Sequence, residues 1–144
     1  LEASRLHLVP KLPMEAHLAR MAACDLFLDA FRYQGGASAI GAAAAGLPVL
    51  SREGATPAAR MGVAMNRLLG LDELVVADDA TYVATAVALG GDPARLAGLR
   101  ARLEAAVAER GLLDPARSAR DLEQVFDAAW SKRRQALAGA AGPT

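Results

Sequence analysis

The residues best suited to hold a ligand lie between Asp25 and Leu50. An apolar run (Leu26, Phe27, Leu28) leads there to Gly35 and Gly36, and Ala37 and Ser38 then open an alanine-rich helix. Adjacent glycines let a backbone approach an anion closely, and the first amides of a helix carry free N–H groups at the positive end of its dipole. Strand, glycine loop and helix start form the unit in which α/β proteins commonly cradle phosphate, so a nucleotide or nucleotide sugar is the first ligand class to test. The plainer alternative is a tight turn with Ser38 as its N-cap. His17 and Arg20, three residues apart on a helix, share a face; by themselves they read as a surface or helix-packing histidine and a solvated helix arginine.

The remaining reactive side chains read as structural. Cys24 is the lone cysteine and reads as a small buried apolar side chain. Asp29 reads as a loop-organising carboxylate, Asp78-Asp79 as a helix cap, and Arg60 as one half of an exposed or sheet-edge ion pair. His7 is expected in a strand, Phe126 and Trp130 in the core, and Lys132-Arg133-Arg134 at a helix end. No histidine, cysteine and carboxylate cluster has metal-ligand spacing, and no serine sits in a nucleophile elbow.

These residues need elements to position them. Arg5 to Val9 alternates like a short strand, and Pro13 precedes a helix over Met14 to Ala23. Asp25 to Asp29 reads as a strand buried on both faces, Ser38 to Ala45 as the helix after the glycine loop, and Pro48 to Leu50 as the next strand. Ser51 to Gly54 reads as a loop. Thr56 and Pro57 start a helix that Gly70 stops, and Leu74 to Val76 is a brief strand. Helices capped by Asp78 or Asp79, by Asp92-Pro93 and by Asp114-Pro115 follow, with Gly90-Gly91 and Gly111 as breaks. The expectation is an α/β fold: a Rossmann-like parallel sheet of about four strands with flanking helices, helix-rich at its C-terminal end. One domain is expected over 1–137, with a disordered tail over 138–144.

Composition narrows the function. At 144 residues with zero net charge, the chain offers no basic field for nucleic acid or an anionic membrane. No apolar run reaches membrane-helix length and no leader is evident, so cytoplasmic placement is the expectation.

Several segments together point further. PKLPMEAHLAR (Pro10 to Arg20), DLFLDAFRYQGG (Asp25 to Gly36), AAGLPVL (Ala44 to Leu50), TPAARMGVAM (Thr56 to Met65), GLDELV (Gly70 to Val75), YVATAVAL (Tyr82 to Leu89), DPARLAGLRARL (Asp92 to Leu103) and ARSARDLEQVFDAAW (Ala116 to Trp130) are the segments concerned. In order and spacing they resemble the C-terminal catalytic region of the O-linked N-acetylglucosamine transferases, glycosyltransferase family 41, especially its bacterial members. Singly these motifs are moderately specific; the collinear set is far stronger.

The resemblance implies the C-terminal Rossmann-like half of a GT-B glycosyltransferase, the half that grips a UDP-sugar. It implies a base contact at His17 with Arg20 beside it, and diphosphate contacts at Gly35, Gly36, Ala37 and Ser38. It implies UDP-GlcNAc or another UDP-sugar as substrate, with no further cofactor and no metal. It implies no catalytic residue in this chain, and a protein acceptor bound by an opposite half and helical repeats outside these residues. Alone, the chain is expected to be inactive, with a bare edge that favours a homodimer. The loop also departs from the family. The relatives place a histidine or glycine and two threonines at this helix start, and an aspartate for the ribose where Gly41 stands. The family's lysine ahead of the Pro10 segment has no counterpart. Two alternatives follow: a degenerate, non-catalytic module kept for packing or protein interaction, or a nucleotide-sugar enzyme of another GT-B family.

Overall fold

The computed structural model describes residues 2–140. The chain divides into two compact units, Leu1–Leu112 and Leu113–Thr144. The first holds a three-stranded parallel sheet, β1 (Phe27–Leu28), β2 (Val49–Arg52) and β3 (Val75–Val76), in that order. Phe27 pairs with Val49 and Leu28 with Leu50, and Ser51 pairs with Val75 and Arg52 with Val76. Helices α1 (Met14–Ala22), α2 (Gly36–Ala44), α3 (Met61–Leu69), α4 (Asp79–Gly90) and α5 (Pro93–Arg110) surround it.

Side-chain alternation along the strands separates two layers. Val49 joins Ala42, Ala43, Met65, Leu69, Leu74, Leu89, Leu99 and Leu103 in the main buried cluster. Leu50, one residue on, faces the other way and packs with Val76 and Tyr82 of α4. The run of alanines is what lets α2 lie close in this core. Gly46 and Gly70 end α2 and α3 with φ of 71° and 70°, left-handed backbone that a side chain would strain.

Local cap signals are formed as expected. Thr56 Oγ1 accepts from the Ala59 amide, Asp78 from Thr81 and Asp92 from Arg95. Pro57 begins a single 3-10 turn, and α3 proper starts at Met61. Gln34, Ser51 and Asn66 are buried polar residues, each hydrogen-bonded across the sequence.

Several expectations need correction. Arg5 to Val9 is not a strand: Ala3–Arg5 is a 3-10 turn and the following residues are exposed, Leu8 at 99%. An alternating pattern yields a strand only where a neighbour offers a ladder, so among the described residues three strands form instead of about four, and His7 lies in neither core nor sheet. Ser51 and Arg52 belong to β2 because β3 pairs with them. β1 is an edge strand, so Leu28 remains 58% exposed and the strand is not buried on both faces. Cys24 is exposed, just past the end of α1, with its thiol near the Arg20 carbonyl.

The second unit carries α6 (Pro115–Ala140), opened by Asp114, whose carboxylate accepts from the Arg117 amide. Its apolar stripe is not a core: Leu122, Val125, Phe126 and Trp130 are exposed, Trp130 at 61%. A single helix has no second surface within its unit to bury a stripe against. Of the tail expected to be disordered, 138–140 continue this helix and 141–144 lie outside the described residues.

Candidate functional site

The site grows from the carboxyl end of β1. Asp29 follows the strand and is buried. Its Oδ1 accepts from the amides of Ala30 and Gly35, at 2.9 and 2.8 Å, so the loop closes on its own first residue. Its Oδ2 accepts from Ser51 Oγ at 3.0 Å, which ties that loop to β2. Its carbonyl accepts from the Tyr82 hydroxyl at 3.1 Å. Burial, and then the nearby Asp29 charge, push the Tyr82 phenol up to about 12. Asp29 therefore organises the loop, as its position suggested.

Gln34 anchors the loop's other end. It is fully buried, donates Nε2–H to the Arg52 carbonyl at 2.7 Å and accepts at Oε1 from the Gly62 amide at 2.9 Å. The first turn of α3 is thereby capped from another loop, a role its own N-cap Arg60 does not fill. Gly62 is a glycine because a Cβ there would collide with Asp29 Oδ2 and Ser51 Oγ. Phe31 meets Tyr82 edge-on at 4.9 Å, and the Arg52 guanidinium lies 4.7 Å over its ring while pairing with Asp79 at 3.0 Å.

This framework presents the start of α2. The helix begins at Gly36 with Gly35 as N-cap, two residues earlier than expected, so Ser38 is not the cap but a residue of the first turn. Asp29 claims the Gly35 amide and sets that boundary. No side chain caps the helix, and Ala39 makes its first backbone bond, to Gly35 O. The amides of Gly36, Ala37 and Ser38 have no acceptor among the described residues. Asp78 and Asp92 occupy the starts of α4 and α5, and Gln34 that of α3. Ala37 and Ser38 are exposed, and Gly36 sits where a Cβ would lie 3.2 Å from Met61 Sδ.

His17 and Arg20 do pair. Arg20 Nη2 lies 3.0 Å from His17 Nδ1, and its Nη1 donates to the Pro10 carbonyl at 3.2 Å. Both line a cavity of about 470 Å³ with Lys11, Pro13 and Met14. That cavity does not include Gly35 to Ser38, so the structure sets two distinct groups: an α1 pocket and an α2 N-terminus. Gly41, facing the same helix pair, would place a Cβ 3.6 Å from Leu18 Cδ2, ordinary contact. Arg60 is exposed and its Nε donates to the Gly54 carbonyl instead of an acid.

Sequence reasoning missed Gln34, Ser51, Gly62 and Tyr82. The one local hint was Gly62, a glycine inside a helical pattern, which usually signals a close approach. The rest of the network spans up to 53 residues of sequence. Among the described residues no helix is long and apolar enough to cross a membrane.

The model of glycosyl transferase family 41 matches residues 1–122. The probable UDP-N-acetylglucosamine–peptide N-acetylglucosaminyltransferase SPINDLY of Solanum lycopersicum is 28% identical over 133 residues, covering 92% of this chain and 14% of that protein. Its Petunia hybrida counterpart is 29% identical over the same shares. A mutant O-GlcNAc transferase of Thermobaculum terrenum superposes with a TM-score of 0.85 at 30% identity, over 93% of this chain and 26% of the other. The chain thus spans only a small part of the relatives it matches.

Proposed function

Because this chain belongs to glycosyl transferase family 41, we propose that it is the donor-binding part of a glycosyltransferase, positioning a UDP-sugar for transfer to a protein serine or threonine. The observation that carries the reading is the uncapped start of α2, held by Asp29 and Gln34 at the carboxyl end of a parallel sheet, in a chain of this family. Three free amides and the helix dipole there suit an anion that gains charge as its bond breaks. In the transfer, the bond between the sugar C1 and the β-phosphate oxygen breaks as the acceptor oxygen bonds to C1. The electron pair leaves on the diphosphate, which the amides of Gly36, Ala37 and Ser38 would stabilise. His17, aligned by Arg20, would hold the base in the α1 pocket. The acceptor and the group that takes its proton would be supplied by parts of the enzyme beyond this chain.

Gly41 supports a weaker side-chain grip: it carries no carboxylate for ribose hydroxyls, so base and backbone contacts would provide the affinity. Calorimetry of the full chain with uridine and UDP tests the reading. UDP should bind, and tighter than uridine. Gly36→Pro removes one amide at a first-turn position that proline tolerates, with only the flexible Met61 thioether, 3.2 Å from the new Cβ, having to give way. Losing a hydrogen bond to a charged group costs about 1.5–3 kcal/mol, so UDP affinity should fall roughly ten- to a hundredfold with uridine affinity unchanged. Absence of UDP binding by a folded wild-type chain would sink the reading in favour of a non-catalytic module.

A further inference from the structure

We infer that the apolar groove between α2 and α3 takes the apolar side chains that flank the acceptor serine or threonine in its polypeptide, an inference that rests on the donor-binding reading above. The groove encloses about 380 Å³, and no charged or polar side chain lines it. Met61, Met65 and Leu68 of α3 face Ile40 of α2 across it, with Leu112 beside them. Ile40 is 41% exposed and Leu68 48%, so a large apolar surface stands open to water. One end of the groove is shared with the site described above. Gly36 lines it and also supplies the first free amide of α2, and a Cβ on Gly36 would lie 3.2 Å from Met61 Sδ.

The lining decides the kind of occupant. Small-molecule sites carry a few placed polar groups that fix the ligand's orientation. This groove has none, so a nucleotide, a sugar or another polar molecule finds nothing there to hold it. Apolar side chains suit it if something else orients them, and a polypeptide held at its reacting hydroxyl is oriented already. The unbranched thioethers of Met61 and Met65 repack around side chains of different shape, so aliphatic and aromatic residues would both be accepted. The dimensions agree. Along α3 the groove runs from Met61 to Leu68, a rise of roughly 10 Å. An extended polypeptide covers that in about three residues and points alternate side chains the same way, so two apolar residues separated by one other would fill it. In the transfer the acceptor oxygen comes within roughly 3–3.5 Å of the sugar carbon, and that carbon is joined to the phosphate on the Gly36 amide. The acceptor residue therefore stands near the Gly36 end, and the residues entering the groove lie roughly two to five positions from it.

The test is nuclear magnetic resonance of the full chain labelled at its methionine methyl groups. Met61 and Met65 report on the groove, Met14 on the α1 pocket, and buried Met21 serves as a control for the peptides. The probes are UDP and two serine peptides of about ten residues, one with leucine at the second and fourth positions on either side of the serine, the other with asparagine there. With UDP present, the leucine peptide should move the Met61 and Met65 signals and leave Met21 in place, and the asparagine peptide should move none of them. Leu68→Lys should weaken the leucine peptide about five- to tenfold, and Leu68→Met should retain most of its binding. The position is half-exposed, so both variants should fold, which melts followed by circular dichroism would verify. No shift with the leucine peptide, equal shifts with both peptides, or undiminished binding by Leu68→Lys would each overturn the inference. Met61 and Met65 signals that move with protein concentration alone would overturn it too, because a second copy of the chain would then fill the groove. The donor-binding reading fails separately: UDP that moves no methionine signal removes that reading, and the acceptor assignment with it.

Discussion

Replacing Gln34 with leucine isolates what holds the loop in place. Leucine nearly matches glutamine in volume, so the cavity contribution is small and the loss is one of hydrogen bonding. Two strong bonds disappear, 2.7 Å to the Arg52 carbonyl and 2.9 Å from the Gly62 amide, with a weaker one from Val63 at 3.4 Å. The Gly62 amide is buried, so leaving it unpaired falls toward the top of the range of about 1–3 kcal/mol for such a group. The Arg52 carbonyl is only partly buried and falls toward the bottom. Together they amount to ~2–4 kcal/mol, a large share of the ~5–15 kcal/mol that holds a typical domain together. With a urea slope of about 2 kcal/mol/M, the midpoint should fall by roughly 1–2 M. Urea titration followed by circular dichroism measures this, and hydrogen exchange locates it: the Gly62 amide should lose protection more than amides in α5. A destabilisation under about 0.5 kcal/mol, the scale of an unremarkable surface change, would refute the reasoning. Unchanged Gly62 exchange would refute it independently.

Two further predictions concern the same framework. Gly62→Ala drives a Cβ into Asp29 Oδ2 and Ser51 Oγ, both rigidly placed, so it should cost about 1–3 kcal/mol in thermal or urea unfolding although alanine favours helix; a gain in stability would show that the approach is not close. Tyr82 concerns pH. Its folded pKa of about 12 exceeds the ordinary 10.0, so above pH 10 the unfolded chain holds fewer protons than the folded one and stability declines as pH rises. The contribution is whole below pH 10 and lost by about pH 12; in a Tyr33→Phe background, phenolate absorbance should emerge only near the upper value, and Tyr82→Phe should flatten the decline.

The relation of Gly35 to Asp29 shows how a site can be half legible. The glycine loop could be found by eye because strand, glycines and helix adjoin in sequence. Where α2 begins could not. Ser38 looks like a cap, and Asp29, six residues before the true N-cap, decides otherwise by taking the Gly35 amide. His17 and Arg20 were legible as a pair because helical geometry alone brings residues three apart together, and the 3.0 Å contact follows. Gln34 was not, since nothing near it in sequence announces the Gly62 amide 28 residues on.

The same division runs through the fold. The sequence by itself determined the features that are local by nature: caps at Thr56, Asp78, Asp92 and Asp114, stops at Gly70 and Gly111, and the parallel alternation of strand and helix. Each cap or stop needs partners only three or four residues away, so residue type and spacing suffice. Tertiary structure alone decided which apolar residues are buried and which polar ones join. Leu8, Leu28, Cys24, Phe126 and Trp130 carry core-like patterns and are exposed, while Gln34 and Asp29 are polar and buried. Burial and ladder pairing belong to the neighbour across the gap, and a residue's own type states only what it would accept, not what arrives.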